Sequence, residues 1–243
     1  MRAWGISDVG LRRRENQDTY AIEKMGGLLC TVVCDGMGGA NAGQTASVLA
    51  IMTYLRELRA RIGGETAPQA LRDACADSVA AANLEVYRHS VEDANCGGMG
   101  TTLVSAVSYP GGAVLCNVGD SRAYHIGAEG ITRITRDHSV VENLIQSGDI
   151  TPEEARTHPN RNLITRALGP ERAILCDTFE VAFAPGELLL LCSDGLVVTL
   201  TDAEMLDAVR AEPVPQRALA RLIALAKQNG APDNVTAVLV EYR

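Results

Sequence analysis

The chain has 243 residues, a formal charge of −8, 47% apolar and 21% charged residues. That apolar content excludes a disordered chain, and the length suits one large domain or two small ones with a sizeable core. No run approaches the ~18 consecutive apolar residues of a membrane span. The first residues hold no apolar targeting segment, and an acidic chain is a poor binder of polynucleotide backbone. A cytoplasmic protein with neither nucleic-acid nor membrane partners is expected.

The seven cysteines, Cys30, Cys34, Cys75, Cys96, Cys116, Cys176 and Cys192, contain no C-x-x-C pair. Five of them lie in or beside apolar runs, so reduced, buried thiols are expected. Neither a zinc site nor a catalytic thiol has support from their spacing. Aromatic residues are only 4% of the chain, so Val, Leu, Ile and Ala must fill the core.

In chain order, Leu28-Leu29-Cys30-Thr31-Val32-Val33-Cys34 reads as a buried strand stopped by an Asp-Gly turn. Helical spacing of Val48, Met52, Leu55 and Leu58 predicts a helix over about 43–61. An alanine-rich helix follows over about 68–89. Thr101 to Tyr109, Ala113 to Val118 and Ala123 to Ile126 read as short strands. With Pro110-Gly111-Gly112 as a turn, and Ile131 and Ile134 after Gly130, they predict an antiparallel meander. Short helical patterns occupy Val140 to Gln146 and Thr151 to Thr157, the second opened by Thr151, Pro152 and Glu154 as a capping signal. The stretch from His158 to Pro170 looks irregular. Glu187 to Cys192 is a second buried strand ending in Ser-Asp-Gly. Thr201 and Glu204 open another helix, Pro215 to Gln228 is the last, and Val235 to Val240 closes the chain as a strand. Strand and helix do not alternate strictly, which argues against a parallel α/β fold. An α+β layered domain is expected, with helices covering two packed antiparallel sheets.

Four aspartates stand out. Asp35 follows a buried strand and precedes Gly36-Met37-Gly38-Gly39. Asp194 follows another and precedes Gly195. Asp233 precedes Asn234 and the closing strand, and Asp120 lies in Gly119-Asp120-Ser121-Arg122. A carboxylate at the exit of a buried strand costs desolvation free energy unless its charge is matched. Converging carboxylates need a cation, and oxygen-only ligands suit Mg²⁺ or Mn²⁺. The absence of H-E-x-x-H and of a cysteine cluster argues against zinc. A single Asp-Gly pair is ordinary turn chemistry; the long Asp35 string, with the other motifs in order, is not.

These motifs resemble the PPM/PP2C family of metal-dependent serine/threonine protein phosphatases in its short bacterial form. The resemblance rests on Arg13-Arg14-Glu15-Asn16-Gln17-Asp18, Asp35-Gly36-Met37-Gly38-Gly39 and Gly98-Met99-Gly100-Thr101-Thr102. It continues through Gly119-Asp120-Ser121-Arg122, Asp137-His138-Ser139, Ser193-Asp194-Gly195 and Asp233-Asn234, nearly end to end. It implies a single domain over 1–243, folded as a four-layer α/β/β/α sandwich of two antiparallel sheets flanked by helix pairs. A flap over about 137–169 would help choose substrates.

The resemblance also implies two Mn²⁺ or Mg²⁺ ions, with a third in some bacterial members. Asp35 would bridge the two, Asp194 and Asp233 would complete the first, and the Gly36 carbonyl would bind the second. Asp120 with Asp194 would hold the third, and Asp18 would act through water. Arg13 would grip the substrate phosphate with a planar, permanent charge, whereas Arg12 and Arg14 read as solvated. The implied reaction is in-line hydrolysis of phosphoserine and phosphothreonine by a metal-bridging water. The implied partners are phosphorylated proteins, a Hanks-type serine/threonine kinase and its substrates, met by a monomer.

The chain departs from the family pattern at Met37, where eukaryotic members place a histidine general acid. It departs again at Ala40 and Gln44, where bacterial relatives often carry histidine and glutamate. None of His89, His125 and His158 is expected as a ligand, and His138 is expected to hold the flap base. A metal-binding pseudophosphatase is the alternative reading. A two-metal nuclease is disfavoured by the lack of a basic track beyond Arg12 to Arg14.

Overall fold

A strand built from Leu28 to Cys34 is apolar on both faces and must be covered on both sides. The computed structural model, which describes residues 1–39, 42–63 and 67–242, puts that strand inside a layered sandwich. It is β3 (Leu28–Met37), in a sheet with the order β2 (Asp18–Met25), β3, β5 (Leu103–Tyr109), β6 (Gly112–Val118), β9 (Asp177–Ala182). The two-residue β4 (Gly100–Thr101) pairs with the end of β3. The second sheet has the order β1 (Arg2–Asp8), β11 (Val235–Glu241), β10 (Leu188–Cys192), β7 (Arg122–Gly127), β8 (Gly130–Arg133). All of these pairings are antiparallel.

The period of two along each strand sorts its side chains into separate apolar layers. Cys30, Val32 and Cys34 pack with Tyr54 and Leu58 of α1 (Ala42–Ile62) and Val79 of α2 (Pro68–Glu92). Leu29 and Val33 point the other way, joining Leu115, Leu189, Leu191 and Val238 between the sheets. Leu190, Cys192, Ala237 and Leu239 face outward from the second sheet. There they meet α6 (Asp202–Arg210) and α7 (Pro215–Gln228) through Met205, Leu219 and Leu222. The result is the α+β, four-layer α/β/β/α architecture expected from the sequence.

Three strands escaped the sequence reading: β1, β2 and β9. Each is a sheet edge, with one neighbour and a half-exposed face, so none carries a continuous apolar run. The expected strand from Thr101 is interrupted at Thr102, which separates β4 from β5. Both capping signals form as expected: the Thr151 and Thr201 side chains accept from the Glu154 and Glu204 N–H groups, and the two carboxylates reach back. Between β8 and β9 the chain forms α3 (Val140–Ser147) and α4 (Pro152–Thr157), then the irregular stretch that the sequence indicates. All seven cysteines are free, and all but Cys176 are buried. Among the described residues, no helix is long and apolar enough to cross a membrane.

Because Leu115 is fully buried between the sheets, Leu115→Ala is expected to cost about 2–5 kcal/mol of unfolding free energy. Leu175→Ala, at a side chain 77% exposed, is expected to stay within about 0.5 kcal/mol. Urea unfolding of both variants measures the contrast.

Candidate functional site

Asp35 does not sit in a turn. β3 continues through Met37 because β4 supplies it with a partner, pairing Gly36 with Thr101 and Met37 with Gly100. The Asp35 backbone is tied on both sides: its N–H donates to Thr102 Oγ1 at 2.9 Å, and its carbonyl accepts from Thr102 N and Thr101 Oγ1, each at 2.9 Å. A Cβ on Gly36 would stand 2.0 Å from the Gly43 carbonyl oxygen, so α1 can start against this strand only if the residue is glycine. On the neighbouring strand, Asp18 is the register partner of Asp35. Like charges directly opposite each other destabilise a sheet.

Asp194 is likewise not in a turn. Ser193 is the N-cap of a short helix, α5 (Asp194–Val197), which Asp194 begins. Ser193 Oγ donates to Asp18 Oδ2 at 2.7 Å and accepts from Thr236 N at 3.0 Å, which joins the two sheets. Asp233 stands just before β11, followed by the buried Asn234. Asn234 Oδ1 accepts from Gln17 N at 2.8 Å, and its Nδ2 donates to the carbonyls of Val9 and Glu15 at 3.0 and 2.9 Å. One amide thus staples the loop that carries Arg13 to the start of β11. Arg13 Nη2 in turn donates to Asp233 Oδ2 at 2.7 Å.

These elements surround a cleft of about 410 Å³ lined by Arg13, Asp35, Gly36, Asp120, Asp194 and Asp233. Asp18 lies buried, 7% exposed. Every site residue named from the sequence is therefore brought to this end of the sandwich, where Arg161 and Asn162 form another part of the wall. Arg12 and Arg14 are exposed and outside it. Thr102, Ser193 and the stapling role of Asn234 were missed. Their residues were visible inside the quoted motifs, but a hydroxyl or amide announces no distant partner, whether 67 positions away for Thr102, 175 for Ser193 or 217 for Asn234.

Burial and neighbouring carboxylates push Asp18, Asp35, Asp120 and Asp194 upward. Asp18 rises to about 7, mainly through burial, which outweighs the hydrogen bonds from Ser193 and Thr236. Asp194 rises to about 6 through burial and then the charge of Asp233. Asp35 and Asp120 lie well above the carboxylate range for the same leading reason. Asp18 Oδ1 and Asp194 Oδ1 are buried without a hydrogen-bond partner. Unpartnered buried oxygens in a cluster of like charge are what a hard divalent cation neutralises, so the donor set fits Mn²⁺ or Mg²⁺. No three of these carboxylates bring oxygens within 4.8 Å of one another, so three of them could close on one ion only by moving.

The segment from Asp137 onward is fastened at its start. Arg122 donates to both Asp137 oxygens, through Nε at 3.0 Å and Nη2 at 2.7 Å. His138 Nδ1 accepts from Gly119 N at 3.0 Å, and its Nε2 stands 3.2 Å from Asp177 Oδ2 and 3.0 Å from Arg166 Nη1. Met37 lines the cleft and no histidine does. Of the other departures, Gln44 is exposed on α1, and Ala40 lies outside the described residues.

The family described as Protein phosphatase 2C matches residues 12–240. The serine/threonine phosphatase stp of Listeria monocytogenes is 34% identical over 245 residues, covering 99% of this chain and 96% of that protein. The serine/threonine protein phosphatase PstP of Mycobacterium tuberculosis is 39% identical over 237 residues, covering 97% of this chain and 44% of the longer protein. The catalytic domain of PstP, solved in complex with two manganese ions, superposes with a TM-score of 0.83 at 34% identity, over 99% of this chain and 97% of that one.

With cations removed by EDTA, the Asp18 carboxyl sets a pH-dependent penalty. Its folded pKa of about 7 exceeds its unfolded value of about 3.9, so the native state holds the proton more tightly. Stability present at low pH is lost as pH rises through about 7. Asp18→Asn is therefore expected to raise Tm at about pH 8, with the gain shrinking toward about pH 5. A gain that stays constant across this range in thermal melts would contradict the assignment.

Proposed function

The chain belongs to the protein phosphatase 2C family, and from that membership we propose that it hydrolyses phosphoserine and phosphothreonine monoesters in proteins with the help of divalent cations. The observation that carries this reading is the cleft in which Asp35, Asp194, Asp233 and Asp120 converge with Arg13 and keep a buried, unpartnered Asp194 oxygen. Asp35, Asp194, Asp233 and the Gly36 carbonyl are the proposed holders of two ions, Asp120 with Asp194 of a third, and Asp18 an outer partner acting through water. The manganese bound by PstP supports Mn²⁺ as the working metal. Such ions, when bound, neutralise phosphoryl charge and make a water nucleophilic near neutral pH.

The chain's own residues do the rest. Asp18 and Ser193 fix each other across the two sheets, and the threonine pair holds the Asp35 backbone, so the strands that carry the carboxylates are held in place before substrate arrives. Arg13 is half-exposed at the mouth, with one guanidinium nitrogen on Asp233. Its remaining N–H groups can fork onto two phosphoryl oxygens. Met37 has no proton to give, and His138 is occupied by Gly119 and Asp177. The serine or threonine alkoxide therefore takes its proton from cleft water. Residues 137–169, fastened by Arg122 and His138 and contributing Arg161 and Asn162 to the cleft wall, are proposed as the flap that meets the peptide. A kinase that makes these phosphoesters is the natural opposing enzyme. The chemistry is proposed for one domain acting as a monomer in the cytoplasm.

Phosphate release from a phosphothreonine peptide with Mn²⁺ is expected to disappear in EDTA and in Asp35→Asn. Arg13→Ala is expected to lower kcat/KM by about 10²–10³, with Arg13→Lys restoring only part, because an ammonium lacks the fork. Turnover that survives EDTA would overturn the mechanism. Metal uptake without turnover on any phosphopeptide would leave the chain a binding module instead.

A further inference from the structure

The turn after α2 carries a second group of ligand-type side chains, chemically unlike the oxygen-only cleft. One ligand atom from each of His89, Asp93 and Cys96 lies within 4.8 Å of the other two, the only such trio among the described residues. His89 and Asp93 are four positions apart at a helix end and so share a face; Asp93 N donates to the His89 carbonyl at 3.0 Å. A 3₁₀ turn over Ala94–Cys96 then brings Cys96 back toward them. Asp93 spends Oδ1 on Asn95 N at 2.9 Å and keeps Oδ2 toward sulfur, 3.8 Å from Cys96 Sγ. That is close to the ~3.5 Å between sulfur and oxygen on one tetrahedral zinc. The negative end of a 25-residue helix points here as well.

We propose that His89, Asp93 and Cys96 bind a borderline-soft divalent cation, zinc in the first instance, at the C-terminal end of α2. The Cys96 thiol gives its proton to solvent as the sulfur–metal bond forms, and water completes the fourth position. Imidazole and thiolate favour zinc over Mn²⁺ or Mg²⁺, which keep to the carboxylate cleft. The spacing His-x3-Asp-x2-Cys carries no zinc signature, which is why the sequence argued against such a site. The trio exists because a helix end and a 3₁₀ turn fold three near neighbours together. Met99 N donates to the Cys96 carbonyl at 3.0 Å, and the chain enters β4 at the next residue, where Gly100 pairs with Met37. A bound ion would tether the end of α2 to the strand beside the cleft. The site stands independently of the phosphatase reading.

Cobalt(II), as a spectroscopic substitute for zinc, is titrated into the protein with its cleft saturated by Mn²⁺. One equivalent is expected to produce a near-ultraviolet sulfur-to-cobalt charge-transfer band and intense visible bands of tetrahedral coordination, all bleached by zinc. Cys96→Ser should abolish the sulfur band and keep basal Mn²⁺-dependent turnover. Cys176→Ser, at the one partly exposed thiol, should leave the band unchanged. His89→Ala should weaken cobalt binding at least about tenfold, the loss that even an outer partner of a metal ligand costs. Absence of a sulfur band, or a band that survives Cys96→Ser, overturns the proposal. Should Cys96→Ser fail to fold, unchanged cobalt affinity in His89→Ala overturns it equally. Phosphatase turnover, measured in the same samples, reports separately on the cleft.

Discussion

Repulsion between carboxylates at one end of the sandwich is the constraint that the rest of the molecule must withstand. Asp18 and Asp35 face each other across two paired strands, and Asp194 and Asp120 add charge to the same buried place. In a low-dielectric setting this arrangement raises every one of these acids. A protein selected only for stability would place apolar or opposite charges here. The sandwich holds the cluster because its three apolar layers bind the strands that carry it, and those layers lie away from the repulsion.

The cluster also draws on both sheets. Asp18 and Asp35 come from the first, while Asp194 and Asp233 flank strands of the second. The site therefore forms only when the sheets pack face to face, and the alternating Leu and Val side chains between them are part of its construction. Small polar groups then set the last ångström. The Ser193 hydroxyl bridges the sheets to Asp18, and Asn234 sews the Arg13 loop to β11. Glycines permit the closest approaches: a Cβ on Gly195 would lie 1.9 Å from the Asn234 carbonyl oxygen. Side chains that touch no substrate thus define where the carboxylates stand.

The acidity of the composition takes on a local meaning in this light. Five of the 30 acidic residues, Asp18, Asp35, Asp120, Asp194 and Asp233, are gathered at one end of the molecule. Arg13 and Arg161 are the cations beside it, and the proposed metal ions would add positive charge there ahead of an anionic substrate. The proposed site at His89, Asp93 and Cys96 uses a different set of donor atoms, so the two could take different metals without competing.

The buried strands, the two long helix pairs and both capping boxes were legible because they depend on local spacing: period two, period 3.6 and side chain to backbone bonds over three residues. The family motifs also named in advance Arg13 and the aspartates that meet at the cleft, since each carries chemistry that few residue types can supply, whereas Arg161 and Asn162 of its wall lie in no motif. The edge strands β1, β2 and β9 were not legible, because an edge needs no continuous apolar run and takes its pairing from a neighbour distant in sequence. The Asp-Gly pairs at Asp35 and Asp194 looked like turns and became a strand and a helix start. What decided them was β4 arriving to pair with β3 and Ser193 capping α5. The sequence by itself determined which chemistry the chain carries and which segments must be buried, because both are properties of residue type and near spacing. Only the tertiary structure decided which carboxylates face one another, which oxygens are left unpartnered and which turn gathers His89, Asp93 and Cys96, because those depend on distances between groups that packing alone brings together.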